Sequence, residues 1–146
     1  MTVEVDRYAP SAWKTEKLAC EIAGWEHGPG REKAIAALFH DTAHLLVCRR
    51  ETEVIGVASF RIVDDFIKRI NTGVKYPRMG TGSVLVAEMI LWYPQRPMFT
   101  KSIPDAWGFC EAIGMKHAMD FGDKLNRRLY LWSAKECEAF LMQKPA

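Results

Sequence analysis

Three strand-like segments in the middle of the chain, separated by two very short polar turns, constrain its fold more than any other feature. Residues 43–49, 54–63 and 66–72 are each rich in β-branched, aromatic and other apolar side chains. The turns between them are Glu51-Thr52-Glu53 and Asp64-Asp65. Parallel neighbours need a crossover of about a dozen residues, so the three segments are predicted to form an antiparallel meander.

The flanking segments alternate between helical and strand-like patterns. A half-buried strand over residues 3–8 precedes two amphipathic helices, at 14–25 and 31–40. After the meander, the patterns predict a helix over residues 83–92, a strand over 98–102 and a second helix over 104–113. A strand pair follows over residues 116–121 and 127–132, and then a short final helix capped by Ser133. The predicted fold class is α/β (α+β), one domain over residues 1–146. Its mixed, mostly antiparallel twisted sheet is flanked by helices in the order β-α-α-β-β-β-α-β-α-β-β.

Composition excludes several classes of protein. With 146 residues, 49% hydrophobic and 26% charged, the chain resembles one ordinary soluble domain, and no apolar run approaches the roughly 18 residues of a membrane span. The N-terminus lacks the pattern of a signal peptide, so a cytoplasmic protein is expected. Basic residues are scattered and the net charge is +2, so neither nucleic acid nor membrane is an expected partner. The four cysteines show no C-x-x-C spacing, and no metal site is predicted.

A glycine pair interrupts the chain between the last strand of the meander and the next predicted helix. Gly80 and Gly82 lack the Cβ atoms that would block a ligand, and glycine tolerates a positive φ. The helix that follows directs unpaired N–H groups and a partial positive charge toward the loop, and Arg78 adds a full charge. These features suit a phosphate or pyrophosphate, although a G-x-G pair before a helix is by itself more often a simple turn.

The sequence around this loop resembles the signature region of the GNAT superfamily of acyl-CoA N-acyltransferases. In that family the fourth strand runs into a Q/R-x-x-G-x-G/A loop, and the next helix starts with an apolar pair. Gly80 and Gly82 match the loop glycines, and Leu85-Val86 matches the apolar pair. Pro77 occupies the position of the first Q/R, with Arg78 one residue later, and a proline removes one N–H donor.

A second resemblance lies downstream, where residues 106–115 look like the family's A-x-x-F-Y-E-x-L-G-F segment. Ala106, Phe109, Glu111 and Gly114 match this segment outright. The family's tyrosine, which often protonates the leaving thiolate, corresponds to Cys110. The resemblance therefore makes Cys110 the candidate catalytic acid, against the simpler interpretation of an inert buried thiol.

The resemblance implies direct acyl transfer from acyl-CoA, with acetyl-CoA as the expected co-substrate, to an amine of a small molecule or a protein. It places the pyrophosphate on the loop and the pantetheine on exposed strand backbone. The implied cofactor-binding residues are Ile70, Thr72, Arg78, Met79, Gly80, Thr81, Gly82 and Ser83. It places the acceptor substrate after the first helix, at Trp25, Glu26 and His27. The expected state is a monomer or homodimer, and the general base is not evident.

Two alternatives stay open on the sequence alone. In the first, residues 84–93, with the single charge of Glu88, form the fourth strand in place of residues 66–72. In the second, the chain is a catalytically degenerate, phage-type GNAT-fold protein that acts as a binding or structural module. Pro77, Ile103 and Cys110 replace family residues and favour this second alternative, whereas the intact glycine pair favours an enzyme.

Overall fold

The computed structural model describes residues 3–10, 42–76 and 79–143 of the chain. In chain order, the elements within these ranges are β1 (Glu4–Tyr8), β2 (His44–Arg50), β3 (Glu53–Val63), β4 (Phe66–Val74), α1 (Thr81–Trp92), β5 (Met98–Ser102), α2 (Pro104–Ala112), β6 (Lys116–Asp120), β7 (Arg128–Trp132) and α3 (Ala134–Met142). The two helices predicted at 14–25 and 31–40 lie outside the described residues. Among the helices that are described, none combines the length and the apolar character that a membrane crossing requires.

The seven strands within the described ranges form a sheet with the order β1-β2-β3-β4-β5-β7-β6. The β1–β2, β2–β3, β5–β7 and β6–β7 pairs are antiparallel. The β4–β5 pair is parallel, and α1 lies between these two strands in sequence, as a crossover connection requires. The predicted mixed, mostly antiparallel fold is therefore confirmed.

The turns of the meander use left-handed backbone. Asp64 and Asp65 have φ angles of 51° and 67°, which suits a two-residue hairpin turn whose twist matches that of the strands. Glu51 has a φ of 58° in the preceding turn. The interpretation of Glu53 as a turn residue is wrong, because Glu53 opens β3 and pairs with Arg50 across the hairpin.

Residues 81–92 form helix α1, so the alternative in which residues 84–93 are the fourth strand is wrong. Hydrogen bonds from the Val84 N–H to the Gly80 carbonyl and from the Tyr93 N–H to the Met89 carbonyl mark its two ends. Its buried residues follow the helical pattern i, i+4, i+5, i+8, i+9, at Thr81, Leu85, Val86, Met89 and Ile90. The sequence does not reveal this helical period, because residues 84–93 are nearly all apolar. Such a run is equally compatible with a buried strand.

Helices α2 and α3 begin at the residues that the sequence predicts. Pro104 is in the first turn of α2, where its missing N–H costs nothing. Ser133 caps α3 through a reciprocal pair of 3.1 Å hydrogen bonds, in which the Glu136 N–H donates to Ser133 Oγ and the Ser133 N–H donates to Glu136 Oε1. This capping box satisfies two N–H groups that a helix start would otherwise leave unpaired.

The chain divides into two compact units. Unit 1 covers residues 1–61 and 71–88, and its core includes the fully buried side chains of Leu45, Val47 and Phe60. Unit 2 covers residues 62–70 and 89–146, and its core includes the fully buried Ile67 and Tyr130. That the chain is one domain stays a prediction.

Candidate functional site

The predicted phosphate loop lies in unit 1, at the start of α1. Gly80 adopts a φ of +77°, and no described atom lies within 4 Å of the Cβ that another residue would carry there. Glycine is therefore favoured by the backbone conformation rather than by a lack of space. The Gly80 carbonyl accepts the Val84 N–H at 3.1 Å. The N–H groups of residues 81–83 thus precede the helical hydrogen bonds and carry the partial positive charge of the helix N-terminus.

The predicted loop residues divide between the loop and the helix. Thr81, Gly82 and Ser83 form the first turn of α1, two residues earlier than the predicted helix start. Met79 precedes them and is exposed, whereas the side chain of Thr81 is buried. The chain is exposed at Met79, and the first turn of α1 is anchored by the buried Thr81. The N–H groups of this turn are therefore fixed in direction and accessible, as in helix termini that bind anions.

The anchoring of Thr81 depends on a glycine in β3 that the sequence did not single out. A Cβ on Gly56 would lie 2.5 Å from Thr81 Cγ2 and 3.3 Å from Leu85 Cδ1. Real Cβ atoms essentially never come as close as 2.5 Å to another heavy atom. The missing side chain of Gly56 therefore lets the first turn of α1 pack directly against β3.

The other end of the loop is attached to β3 by a charged side chain. Tyr76 OH and Lys75 Nζ both donate to Glu53 Oε2 at 2.9 Å, and Arg50 Nη2 lies 3.5 Å from Glu53 Oε1. The hydrogen bonds from Lys75 and Tyr76 lower the pKa of the Glu53 carboxyl, and the same contact raises the pKa of Lys75. Glu53 is therefore a carboxylate at neutral pH.

The remaining predicted ligand residues fall in two groups. Ile70 and Thr72 lie on β4, as predicted, and Thr72 is exposed. Arg78 lies outside the described residues, as do the predicted acceptor-binding residues Trp25, Glu26 and His27. Their roles stay predictions.

The candidate acid Cys110 lies in unit 2, on α2, and is only 4% exposed. Its Sγ atom is 3.2 Å from Ser102 Oγ, at the end of β5. Burial raises the pKa of the Cys110 thiol, the Ser102 hydrogen bond lowers it and the charge of Glu111 raises it further. The net shift is upward, so the thiol carries its proton at neutral pH. Sequence reasoning missed Ser102, because a serine eight residues before a cysteine has no recognisable spacing.

Three further side chains fix the surroundings of Cys110. Trp107 Nε1 donates to the Ser102 carbonyl at 2.9 Å, which ties the first turns of α2 to the end of β5. The Arg128 Cζ atom lies 3.6 Å from the centre of the Trp107 ring, a cation–π contact. The hydroxyl of the fully buried Tyr130 donates to Glu111 Oε2 at 3.2 Å. This network holds α2 against β5 and β7 and gives the family-matching Glu111 a structural contact.

The described residues contain no group of three or more His, Cys, Asp or Glu side chains arranged to hold a metal ion. The two places described offer two kinds of chemistry. Oriented N–H groups at the start of α1 can bind an anion, and a protonated thiol on α2 can take part in proton transfer.

A family model settles the relationship that the loop and the α2 segment suggest. The model of the acetyltransferase (GNAT) family matches residues 10–115, which include both the loop and Cys110. The chain belongs to the GNAT acetyltransferase family. The GNAT-like fold predicted from the two motifs is thereby confirmed. A comparison with curated proteins gave no significant sequence match.

Solved structures with the same fold are numerous and distant in sequence. A protein assigned to the GNAT family from Desulfovibrio desulfuricans superposes with a TM-score of 0.67 at 13% identity, over 91% of this chain and 99% of that one. The PaiA N-acetyltransferase from Thermoplasma acidophilum, in complex with coenzyme A, gives 0.64 at 13% identity, over 91% and 99%. A ribosomal-protein alanine N-acetyltransferase from Escherichia coli gives 0.64 at 14% identity, over 89% and 91%. Identities this low show a shared fold alone.

Proposed function

We propose that this GNAT family member is an acyl-CoA-dependent N-acyltransferase that uses acetyl-CoA and acylates an amine of a small molecule or a protein. The observation that carries the proposal is the first turn of α1. There, a left-handed Gly80 and a buried Thr81 present three N–H groups that have no partner within the helix. The coenzyme A bound to the PaiA relative supports acyl-CoA as the donor.

In this proposal the loop binds the pyrophosphate of acyl-CoA. The N–H groups of Thr81, Gly82 and Ser83 are the donors, and Arg78 adds a full positive charge. Pro77 has no N–H, so the donors begin only after it. The backbone of β4 near Ile70 and Thr72 would hold the pantetheine arm by strand-like hydrogen bonds. Trp25, Glu26 and His27 would contact the acceptor. Monomer or homodimer, and a cytoplasmic location, stay predictions from the sequence.

The reaction is attack of a neutral amine nitrogen on the thioester carbonyl carbon. A C–N bond forms, the C–S bond breaks, the nitrogen loses a proton and the departing CoA thiolate gains one. The enzyme's contribution is orientation of the two substrates together with proton transfer. Cys110 is the candidate donor of the proton to the thiolate, since its raised pKa keeps it protonated.

A second candidate function is a binding module without turnover. It is favoured by the position of Cys110, which is only 4% exposed and already contacts Ser102. A thiol in this environment is a weak proton donor, because burial raises its pKa. Both candidates share the fold and the phosphate loop, and they differ in whether the acyl group is transferred.

Acetyl-CoA titration, followed by calorimetry and by thermal unfolding, tests the proposal. A ligand present at 100 times its dissociation constant should stabilise the folded protein by about 2.7 kcal/mol. Gly82→Glu places a bulky anion in the first turn of α1 and should abolish binding. Leu91→Glu is the matched control, because Leu91 is 53% exposed on the same helix and the added charge is the same. Absence of any heat or shift for the unmodified protein at millimolar acetyl-CoA would refute the proposal.

A further inference from the structure

Glu53 binds Tyr76, which immediately precedes the phosphate loop. The carboxylate accepts the hydroxyl of Tyr76 and the ammonium of Lys75, with Arg50 on its other oxygen. Arg50 and Lys75 also lie 5.6 and 5.5 Å from the centre of the Tyr76 ring. Tyr76 is therefore fixed both through its hydroxyl and through cation–π contacts to its ring.

The same stretch of β3 holds both ends of the segment. Glu53 binds Tyr76, the Ile55 carbonyl accepts the Lys75 N–H at 2.9 Å, and Gly56 provides the space that Thr81 occupies. Residues 53–56 thus hold the chain immediately before and immediately after the loop. Because β3 contacts residues 75 and 76 on one side and Thr81 on the other, the N–H groups at the start of α1 are oriented before any ligand arrives, which lowers the entropic cost of binding.

We propose that Glu53 is a positioning residue for acyl-CoA, because its hydrogen bond to Tyr76 fixes the chain between the end of β4 and the phosphate loop. This role rests on the proposed function of the loop. Gly56 fixes the helical end of the loop by packing, whereas Glu53 fixes the strand end through a polar contact that substitution can remove without creating a steric clash.

The negative charge of Glu53 makes a positioning role distinguishable from a purely electrostatic one. The two roles predict opposite changes in the affinity for coenzyme A when Glu53 is replaced. Coenzyme A is a polyanion, and a carboxylate near its phosphates repels it. If Glu53 acted only through its charge, removing that charge would strengthen binding. If Glu53 positions the loop, its removal weakens binding even though the local charge becomes more favourable.

The experiment measures the dissociation constant of coenzyme A by calorimetry for the full chain and for Glu53→Ala, Glu53→Gln and Tyr76→Phe. Circular dichroism at the assay temperature establishes that each variant is folded. Glu53→Ala and Tyr76→Phe both remove the hydrogen bond between Tyr76 and Glu53, and its loss should weaken binding about tenfold in each variant. Glu53→Gln retains an oxygen that can accept the Tyr76 hydroxyl, so its dissociation constant should lie closer to that of the unmodified protein.

The double variant Glu53→Ala/Tyr76→Phe separates positioning from general destabilisation. If Glu53 and Tyr76 act through their one shared contact, breaking it a second time has no further effect. The double variant should then bind coenzyme A about as well as either single variant. Asp6→Ala is the matched control, since it removes the carboxylate that Arg49 contacts at 2.9 Å in the same unit, a contact that involves no residue of the loop. Its affinity for coenzyme A should be unchanged.

The outcomes distinguish failure of this role from failure of the proposed function. No binding of coenzyme A by the unmodified protein overturns the proposed function, and with it any role of Glu53 toward the ligand. Normal binding by the unmodified protein, with equal or tighter binding by Glu53→Ala, overturns the positioning role and leaves the proposed function intact. Additive losses in the double variant also overturn it, because Glu53 and Tyr76 would then act separately.

Discussion

Replacement of Gly56 by alanine is the sharpest test of how the first turn of α1 is held in place. The added Cβ would lie 2.5 Å from Thr81 Cγ2, about 1 Å short of ordinary van der Waals contact, and 3.3 Å from Leu85 Cδ1. Thr81 is buried and β-branched, so its methyl group cannot swing away freely. The first turn of α1 must therefore shift relative to β3.

The net cost follows from two opposing terms. Overpacking of a filled site costs roughly 1–3 kcal/mol. Alanine also restricts the unfolded chain, which returns about 0.4–1 kcal/mol. A net loss of roughly 1–2 kcal/mol in the free energy of unfolding is expected, and for a chain near 150 residues it should lower the Tm by roughly 2–8 °C. Because Thr81 opens α1, acetyl-CoA affinity should fall as well.

Urea unfolding followed by circular dichroism measures this loss, with two companion variants. Gly108→Ala makes the same chemical change inside α2, where no described atom lies within 4 Å of the added Cβ. It should stabilise the protein by about 0.5–1 kcal/mol. Thr81→Ser removes the clashing methyl group, so Gly56→Ala/Thr81→Ser should lose less stability than the sum of its single changes. If the Gly56→Ala variant is as stable as the unmodified protein, Thr81 is not packed against Gly56 as described.

Two cysteines supply the remaining predictions. If the Cys110 thiol protonates the CoA thiolate, Cys110→Ala should slow acyl transfer to amines by about 10²–10⁴-fold. The rate is measured from the release of free CoA, and an unchanged rate would exclude that role for Cys110. Burial, with smaller contributions from the charges of Glu138 and Glu136, raises the pKa of Cys137 to about 12. The folded thiol then keeps its proton while the unfolded thiol loses it near pH 9, so stability should fall with rising pH between about 9 and 12. The free energy of unfolding should drop on the order of 1 kcal/mol per pH unit more steeply than in Cys137→Ala, and equal slopes in urea unfolding would contradict the assignment.

Most of the sheet could be predicted because its signals are local. The turn residues Asp64 and Asp65 and the flanking apolar runs define the meander without reference to distant residues. Ser133 and Glu136 likewise define the start of α3 within four residues. Helix α1 was ambiguous because an almost wholly apolar run carries no period, and its start at Gly80 and Thr81 settles the question.

The contacts that hold the candidate site were missed because they join residues far apart in sequence. Glu53 and Tyr76 are 23 residues apart, and their contact depends on the positions of β3 and β4 in the sheet. The closeness of Gly56 and Thr81 depends in addition on where α1 packs. Spacing rules describe residues on one element, so they identify the loop glycines but not the strand that holds the loop.

The central claim is that the start of α1 binds the pyrophosphate of acyl-CoA. Amide hydrogen exchange of residues 79–86, with and without saturating acetyl-CoA, tests it most directly, because the N–H groups of residues 81–83 are the proposed donors. Exchange in this segment should slow on addition of acetyl-CoA, and Gly82→Glu should abolish the change. Binding of acetyl-CoA that slows exchange elsewhere in the chain but leaves residues 79–86 unaffected would contradict the account.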